Sequence, residues 1–413
     1  MDIAAVSGYA LSSPIEPPQE RRFHGGRRRL LKRDVVLVVV ETADGTRGIA
    51  TAGASSSAMR EYFEDDSQGT FADVVDGPVA DALVGESVDD NREAHDLLRA
   101  GDVPPADLTE AISAVDVALH DVRGKELGAP VYDLLAAKFG TDPTTELPLY
   151  ASAGMYMEPD GYVEQARTIE ELGFFGYKYR PGIGVDGDRR TVELLADALG
   201  DCAVMVDAHT WWKLEDGYGR ETVRELVGHA GDHGVYWVEE PVEPDDHEGY
   251  VDLASAGAPL AGGESEPSPE GLVDLGETGA VAFLQGDVRH HEGFTGCRRA
   301  AEFCAGREGV EFVPHNFGTW VGLAANAHLV AAAPEADLVE YPVFEDDPVL
   351  DADPDPGMYP FDLAFDLTES RPDIADGVLS VTDDPGLGVT VNMDVVDDYP
   401  FVEGPWTEFH YEE

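Results

Sequence analysis

Short apolar runs recur along the middle of the chain, at intervals of roughly 20 to 35 residues. The eight runs are LPLYASAG, FFGYKYR, CAVMVDAH, VYWVEEP, PLAGGESE, VAFLQGDV, EFVPHN and LVEYP. Segments with helical periodicity, such as PDGYVEQARTIEELG and RRTVELLADALG, separate several of them. Strands that alternate with helices in this way predict a (β/α)8 barrel. The alternative is a doubly wound open sheet, although no G-x-G-x-x-G sequence follows the first strand.

The pattern differs on either side of this region, which predicts three parts: an α+β unit over residues 1–140, a barrel over 141–350 and a C-terminal segment over 351–413. In the first part, RDVVLVVVETADGTRGIATA predicts two strands joined at the turn Ala43-Asp44-Gly45. The helix within LTEAISAVDVALHDVRGKELGAPVYDLL is predicted to be amphipathic, with one apolar stripe. The last part is rich in Pro, Gly and Asp, and we expect it to pack back on the first.

One basic stretch, ERRFHGGRRRLLKR, precedes the first of those two strands. It is compatible with a solvated loop. It is also compatible with a mobile lid that brings positive charge over an anionic ligand.

Acidic residues dominate the composition: 83 acidic residues against 27 basic ones give a net charge of −56. They are spread over the whole chain, and the periodic apolar segments argue against disorder. We therefore expect a folded protein with the acidic, hydrated surface of a salt-adapted organism. This charge repels nucleic acid and anionic membranes, and no apolar run reaches the roughly 18 to 20 residues of a membrane span.

Cysteine usage and the first residues of the chain point to a cytoplasmic location. Cys202, Cys297 and Cys304 form neither a disulfide framework nor a set with metal-ligand spacing. The first twenty residues lack the basic and apolar segments of an export signal. A reducing compartment is therefore expected.

Polar residues end nearly every predicted strand, where the active sites of barrels lie. Three carboxylates, Asp207, Glu239 and Glu264, follow three successive strands and would suit Mg²⁺. Without a cation such a cluster would be forced partly neutral, and no Cys/His spacing supports zinc. Glu240 alternates with Glu239, so one of the two is expected to point away from the barrel interior.

Three further pairs of polar residues are open to more than one interpretation. His315 and Asp287 end neighbouring strands, and they are either independent polar ends or a general base with its carboxylate partner. Lys178 and Arg180 share one strand face and could hold a carboxylate, but only the lysine could serve as a base. His209, two residues after Asp207, could be a second metal ligand, a proton carrier or a polar strand end.

The ordered set of motifs resembles the enolase superfamily, in particular its mandelate racemase-like group. The motifs are YKYR, VMVDAH, WVEEP, GGESE, LQGDV with GFTG close behind, and VPHNFG, together with the helix AISAVDVALHDVRGKELGAPVYDLL. The resemblance covers most of the chain. It implies an N-terminal α+β capping domain, a modified (β/α)7β barrel, and a C-terminal segment that returns to the cap.

The resemblance also implies roles for the residues that match the family's motifs. Asp207, Glu239 and Glu264 would bind Mg²⁺, and His315 with Asp287 would form the base. Glu340 would hydrogen-bond to a carboxylate oxygen of the substrate.

The strand that contains YKYR agrees with the family's motif at one position and differs from it at another. Lys178 matches the first lysine of the family's K-x-K motif, whereas Arg180 stands where racemases carry their second base. His209 matches the spacing of the histidine that protonates the leaving 3-hydroxyl group in some sugar-acid dehydratases of this group. The alternative is a polar histidine that only supports the neighbouring ligands.

These implications favour Mg²⁺-dependent dehydration of an aldonate, such as gluconate, galactonate, xylonate or arabinonate, to a 2-keto-3-deoxy acid. An epimerase, racemase or cycloisomerase that uses the same enolate is the second hypothesis. A non-catalytic binding barrel is the third. The expected partner is a small carboxylate substrate, and a homo-oligomer is expected by analogy.

Substrate specificity is expected to lie in the cap, in residues 23–29 and near TAGASSSAMREYF. Of Trp211 and Trp212, we expect one to line the pocket and one to pack in the core.

Overall fold

The structure, a computed structural model, describes residues 1–52, 70–215, 217–354 and 356–412. Its N-terminal domain pairs an antiparallel sheet with a group of helices. The strands are β1 (Ile3–Phe23), β2 (Gly26–Thr42) and β3 (Arg47–Ala52). The helices are α1 (Thr70–Val74), a π-helical turn (Val75–Val79), α2 (Ala80–Leu83), α3 (Asn91–Ala100), α4 (Leu108–Leu127) and α5 (Val131–Phe139). Most of the segment TAGASSSAMREYF lies outside the described residues.

Two hairpins build the sheet of this domain. The turn predicted at residues 43–45 is confirmed, because β2 and β3 pair on either side of it. The basic stretch, however, is not a loop: β1 and β2 pair through it as far as Phe23 opposite Gly26. Burial alternates along β2 from Gly26 to Lys32, so every second side chain of the stretch packs inward. The guanidinium of Arg28, for example, lies 4.6 Å from the centre of the Trp406 ring.

Eight parallel strands form the barrel, and each overlaps one of the eight apolar runs. They are β4 (Glu146–Met155), β5 (Gly176–Arg180), β6 (Ala203–Asp207), β7 (Trp237–Glu239), β8 (Leu260–Gly262), β9 (Phe283–Leu284), β10 (Glu311–Phe312) and β11 (Val339–Pro342). Parallel ladders join β4 to β10 in chain order, and β11 returns to pair with β4.

A helix follows each of the first seven barrel strands. The helices of the barrel region are α6 (Pro159–Glu171), α7 (Val185–Ala198), the short α8 (Thr210–Lys213), α9 (Arg220–Asp232), α10 (His247–Leu253), α11 (Pro269–Glu277), α12 (Gly293–Cys304) and α13 (Trp320–Ala332). Because β11 ends the series, the architecture is the (β/α)7β barrel with an N-terminal cap.

The C-terminal segment touches both preceding parts. Its elements are α14 (Asp362–Asp366), β12 (Asp373–Ala375), β13 (Val378–Ser380), α15 (Val395–Asp398) and β14 (Thr407–Tyr411). Strand β14 pairs with β2 and extends the sheet of the cap, whereas β13 pairs with β4 of the barrel. The division of the chain after residues 140 and 350 stays a prediction.

Helix α4 is buried on nearly all sides, and not along one stripe as predicted. Four of its polar residues, Ser113, Asp116, His120 and Asp121, are buried as well, and the two aspartates bind neighbouring segments. Asp121 accepts hydrogen bonds from the N–H groups of Ile49 in β3 and Leu387 in the C-terminal segment, at 3.0 and 2.9 Å. Asp116 accepts one from the Thr295 hydroxyl of α12, at 2.6 Å. The helix therefore joins cap, barrel and C-terminal segment.

In the part of the chain that the structure describes, no helix is long and apolar enough to cross a membrane. The three cysteines are buried and unpaired.

Candidate active site

The polar residues at the strand ends lie at the carboxyl-terminal mouth of the barrel, where parallel strands present their ends together. They are Lys178 and Arg180 in β5, Asp207 in β6, Glu239 in β7, Glu264 after β8, Asp287 after β9, His315 after β10 and Glu340 in β11. The side chains of Arg180 and His315 keep 15% and 12% exposure, and the other six keep at most 5%.

Lys178 occupies the centre of this group. Its Nζ atom lies 2.6 Å from Glu239 Oε1 and 2.8 Å from Glu340 Oε1, and Asp207 Oδ2 is 3.9 Å away. Burial alone would lower the pKa of Lys178, but the carboxylates of Glu239 and Glu340 outweigh it and raise the pKa. The amine is thus held as a cation among acids.

The carboxylates are crowded enough to disturb one another. Burial, together with the charges of Asp207, Glu264 and Glu340, raises the pKa of Glu239 to about 8, although the charge of Lys178 opposes them. A group that resists ionisation in this way is expected where several acids are gathered to hold a cation.

His209 lies between three carboxylates. Its Nδ1 atom is 2.5 Å from Asp207 Oδ1, and its Nε2 atom is 2.6 Å from Glu240 Oε2 and 3.1 Å from Glu264 Oε1. Burial would lower the pKa of His209, but the three carboxylates outweigh it and raise the pKa well above its usual value. The side chain is therefore part of the charged cluster and not an isolated polar strand end.

His315 and Asp287 form the predicted pair. The His315 Nδ1 atom lies 2.9 Å from Asp287 Oδ2, which leaves Nε2 facing Glu264 Oε2 at 3.3 Å. Asp287 is held in turn by Arg289 Nη2 at 2.5 Å and Asn326 Nδ2 at 3.2 Å. Burial opposes a charged imidazole, but the carboxylates of Glu264 and Asp287 raise the pKa of His315 to about 9.

Arg180 and Glu340 support their neighbours. Arg180 Nε lies 3.1 Å from Asp207 Oδ2, and the guanidinium stands 5.0 Å from the centre of the Phe317 ring. Glu340 Oε2 accepts a hydrogen bond from the Asn316 N–H at 2.9 Å, in addition to its ion pair with Lys178. Ionised Glu340 can only accept hydrogen bonds. The predicted hydrogen bond from Glu340 to a substrate carboxylate oxygen would therefore require Glu340 to carry a proton.

Glu240 is the main residue of the site that the sequence analysis missed. The expectation that Glu239 or Glu240 would point away is wrong, because β7 ends at Glu239 and strand alternation stops there. Glu240 has a φ of 39°, which turns its carboxylate back over the mouth. It accepts hydrogen bonds from the Ser265 hydroxyl and backbone N–H at 2.8 and 3.1 Å. No sequence signal beyond the doubled glutamate marks this conformation.

Asp188, in α7, orders the two loops that follow β5 and β6. Its Oδ1 atom accepts hydrogen bonds from the N–H groups of Gly182 and Ile183 at 2.9 and 3.1 Å. Its Oδ2 atom accepts hydrogen bonds from Trp211 Nε1 at 3.1 Å and from the Tyr218 hydroxyl at 2.9 Å. A G-x-G-x-x-G sequence does begin at Gly182, but this carboxylate takes the N–H groups that a phosphate would need.

The two tryptophans divide as expected. Trp211 is buried with 3% exposure. The ring centre of Trp212 lies 6.0 Å from that of His209, and its Nε1 atom donates to the Glu240 carbonyl at 2.8 Å.

The tip of the β1–β2 hairpin reaches this side of the barrel. The backbone N–H of His24 donates to the Gly182 carbonyl at 2.7 Å, and the Phe23 ring packs 5.7 Å from Tyr156. The cap thus meets the loops that follow β4 and β5 through Phe23 and His24 at the tip of a hairpin, and not through a loop.

The donors fit a divalent cation. Ligand atoms of His209, Glu240 and Glu264 lie within 4.8 Å of one another, so this buried triad can hold a metal ion. Asp207 and Glu239 line the same mouth, but they face Arg180 and Lys178. The assignment of Asp207, Glu239 and Glu264 as the ligand set stays a prediction.

Comparison with known proteins assigns the fold and the family. Residues 161–395 match the family model described as enolase C-terminal domain-like. Residues 16–136 match the mandelate racemase / muconate lactonizing enzyme N-terminal domain. Together the two models cover both the barrel and its cap.

Individual relatives are distant. The chain is 28% identical to D-galactarolactone cycloisomerase of Agrobacterium fabrum over 97% of this chain and 99% of that protein. It is 28% identical to D-xylonate dehydratase of Haloferax volcanii over 71% and 70%. A mandelate racemase/muconate lactonizing enzyme from a marine actinobacterium, solved in complex with magnesium, has a TM-score of 0.74 at 24% identity over 96% and 99%. The chain therefore belongs to the mandelate racemase/muconate lactonizing enzyme group of the enolase superfamily.

Proposed function

We propose that this enzyme removes water from an aldonate and releases a 2-keto-3-deoxy acid. The observation that carries the proposal is the placement of two imidazoles at one carboxylate. His209 Nε2 lies 3.1 Å from Glu264 Oε1, and His315 Nε2 lies 3.3 Å from Glu264 Oε2. Elimination of water needs a base for the proton at C2 and an acid for the hydroxyl at C3 in the same site.

His315 is the proposed base. Because its Nδ1–H donates to Asp287, its Nε2 atom is the one that would accept the C2 proton, once a cation bound at Glu264 offsets the charge that raises the pKa of His315. Arg289 and Asn326 hold Asp287, so the imidazole keeps its orientation during proton transfer. Breaking the C2–H bond leaves an enediolate.

His209 is the proposed acid. Its Nε2 atom faces Glu240 and Glu264, and it would deliver a proton to the C3 hydroxyl as the C3–O bond breaks. The products are water and an enol, and the enol tautomerises to the 2-keto-3-deoxy acid. The proton lost from C2 and the proton gained by the leaving hydroxyl keep the reaction balanced.

The enediolate needs positive charge nearby, because an α-proton of a carboxylate is very weakly acidic. Lys178 supplies a buried cation on one side of the mouth. Asp207, Glu239 and Glu264 are the residues proposed to hold Mg²⁺, which when bound would take up charge on the substrate carboxylate. Arg180 holds Asp207 in place, and Glu340 does the same for Lys178.

A second candidate function is supported by a relative that matches 97% of this chain, D-galactarolactone cycloisomerase. Epimerisation or cycloisomerisation would begin with the same proton abstraction and differ in the fate of the enediolate. Racemisation would need a base on the opposite face. Arg180 is unsuited to that task because guanidinium stays protonated, so Lys178 would have to serve.

The test is a screen of aldonates with MgCl₂ at high KCl, read by a 2-keto-3-deoxy acid assay. His315→Asn should lower turnover roughly 10²- to 10⁴-fold, because it removes the base. Full turnover by this variant on every aldonate that the wild type accepts would refute the base assignment. Recovered substrate with deuterium at an inverted C2, and no keto-deoxy acid, would support the epimerase.

His209→Asn separates the two steps. With the acid removed but the base intact, recovered substrate should still gain deuterium at C2 in D₂O, while formation of keto-deoxy acid falls by about 10² or more. The control is His247→Asn, which removes a half-buried imidazole that is also paired with a glutamate, at 2.6 Å from Glu266. Loss of both exchange and elimination in His209→Asn would contradict its role as acid alone.

The homo-oligomer and the cytoplasmic location remain expectations. Light scattering of the purified chain measures the first, and fractionation of its source cells measures the second.

A further inference from the structure

Two imidazoles and one carboxylate lie together in the outer layer of helices. Glu193 belongs to α7, His229 to α9, and His233 follows the end of α9. One possible ligand atom from each lies within 4.8 Å of the other two. We propose that these three residues form a second metal site, suited to Zn²⁺ or a similar transition metal, separate from the site of the proposed reaction.

The histidines have the spacing of a helical metal site. Residues four apart lie on one face of a helix, so His229 and His233 share a face. The His233 Nδ1 atom lies 2.9 Å from the His229 carbonyl oxygen, which can only accept a hydrogen bond. Nδ1 therefore carries the proton, and Nε2 keeps a lone pair for a metal. Histidines that bind metals are usually oriented by such a bond.

The carboxylate completes the group from the neighbouring helix. Glu193 Oε1 lies 3.8 Å from His229 Nε2, while Glu193 Oε2 lies 3.3 Å from Arg190. Two ligand atoms of a tetrahedral zinc ion lie about 3.4 Å apart. A small rotation of the Glu193 side chain would bring its Oε1 atom to this distance from His229 Nε2. His229 Nε2 would exchange its 3.2 Å bond to the Arg189 carbonyl for the metal.

The site is accessible, and it would accept a fourth ligand from solvent. Glu193 is 40% exposed and His229 is 20% exposed, which leaves room for a water molecule. Imidazole ligands favour Zn²⁺, Cu²⁺ and Ni²⁺, whereas Mg²⁺ favours oxygen alone. The net charge of −56 raises the concentration of cations at the surface.

A metal here would tie α7 to α9. These helices precede and follow β6, the strand that ends in Asp207. The end of α9 leads into the start of β7, so the site lies towards the amino-terminal end of the strands, opposite the mouth. The expected effect is on the stability of the barrel and not on its chemistry.

The experiment uses the full, untagged chain, freed of metals with a chelator and kept in excess MgCl₂. Titration with ZnCl₂ by calorimetry should show a site that Glu193→Gln weakens about tenfold or more and that the double variant H229N/H233N abolishes. Co²⁺ at the wild-type site should show the visible absorption of tetrahedral coordination. Zn²⁺ should raise the unfolding temperature of the wild type and not that of the double variant.

Two controls locate the binding. His410→Asn removes a surface imidazole that lies 3.6 Å from Glu408, so it should leave the titration unchanged. Glu264→Gln alters the mouth of the barrel and should leave the outer site intact. The proposal is overturned if the double variant binds Zn²⁺ like the wild type, or if Glu264→Gln alone removes all binding. Turnover of the double variant with Mg²⁺ should equal that of the wild type.

Discussion

Glu264 is shared by both proposed reaction steps and by the proposed cation site. Its two oxygens face His209 and His315, and these imidazoles together hold its pKa well below the usual value, although burial opposes them. A substitution at this residue therefore changes base, acid and cation binding at once. The two histidines, each changed alone, report on the steps separately.

His328 illustrates a titratable residue that serves the fold and not the reaction. It is fully buried in α13, its Nδ1 atom accepts the Tyr132 N–H at 3.1 Å, and its ring stacks on Tyr132 with centres 5.4 Å apart. Burial lowers the pKa of His328 to about 4, compared with about 6.5 in an unfolded chain. As the pH falls from 6.5 towards 4, the unfolded chain binds this proton first, and the fold loses stability.

We therefore predict a pH-dependent difference between the wild type and His328→Asn. Between pH 7 and pH 5 the wild type should lose about 2 kcal/mol more of its unfolding free energy than the variant, which lacks the titrating ring. Urea unfolding at the two pH values measures this difference. Equal losses in the two proteins would show that His328 titrates normally in the fold.

Strand β3 packs against helix α4 through Gly48. A Cβ atom at this position would lie 1.9 Å from the Ala118 carbonyl oxygen and 2.7 Å from Val122 Cγ2. The oxygen belongs to the helix backbone and cannot rotate away, so strand and helix would have to separate. The close approach joins the sheet of the cap to the helix that Asp116 and Asp121 tie to the rest of the molecule.

Gly48→Ala should accordingly lower the unfolding free energy by about 2 kcal/mol or more. Gly219→Ala is the matched control, because Gly219 has a φ of −69° and open space around the added carbon. Urea unfolding of both variants gives the comparison. A Gly48→Ala protein as stable as the control would mean that β3 and α4 have room for a Cβ atom between them.

Elements differ in how far their sequences predict them. The barrel strands are predictable because each is a short apolar run with a polar end, and the ends converge in any parallel barrel. The sequence does not predict the β1–β2 hairpin, because a run of Arg and Lys residues is typical of a solvated loop. In the structure the side chains of Arg28, Lys32 and Arg33 pack on aromatic rings. The full burial of α4 was missed because its inward polar residues, such as Asp121, bind distant backbone that no local pattern reveals.

The same limit applies to the site. Asp207, His209, Glu239 and Glu264 could be placed at one mouth from their positions after strands. Glu240 could not, because its place depends on a left-handed backbone conformation. Asp188 was hidden for a different reason: in a chain with 83 acidic residues, one more aspartate in a helix carries no signal until its four donors are seen.

The net charge of −56 acts on the molecule as a whole. Compaction brings like charges together, so folding works against their repulsion wherever salt does not screen it. The screening length falls from about 10 Å at 0.1 M salt to about 3 Å at 1 M. Because the charges are spread over the entire surface, the free energy of unfolding should increase with ionic strength.

Raising KCl from about 0.1 M to about 2 M should raise the thermal unfolding midpoint by roughly 5 °C or more. Scanning calorimetry measures the shift. Sucrose at matched water activity is the control, since it stabilises compact states without screening charge. A midpoint that stays constant or falls with KCl, while sucrose raises it, would contradict the expectation of a salt-adapted surface.

The pairing of β14 with β2 means that the sheet of the cap is completed late during synthesis. Residues 407–411 complete the edge of a sheet whose first strands were made before the barrel, and Thr407 faces Leu30 across almost the whole chain. On the ribosome, the barrel from β4 to β11 is available for folding while that edge of β2 is still unpaired. The cap of the nascent chain thus stays open until translation has passed residue 411, and a chaperone that shields unpaired strands would find its target there.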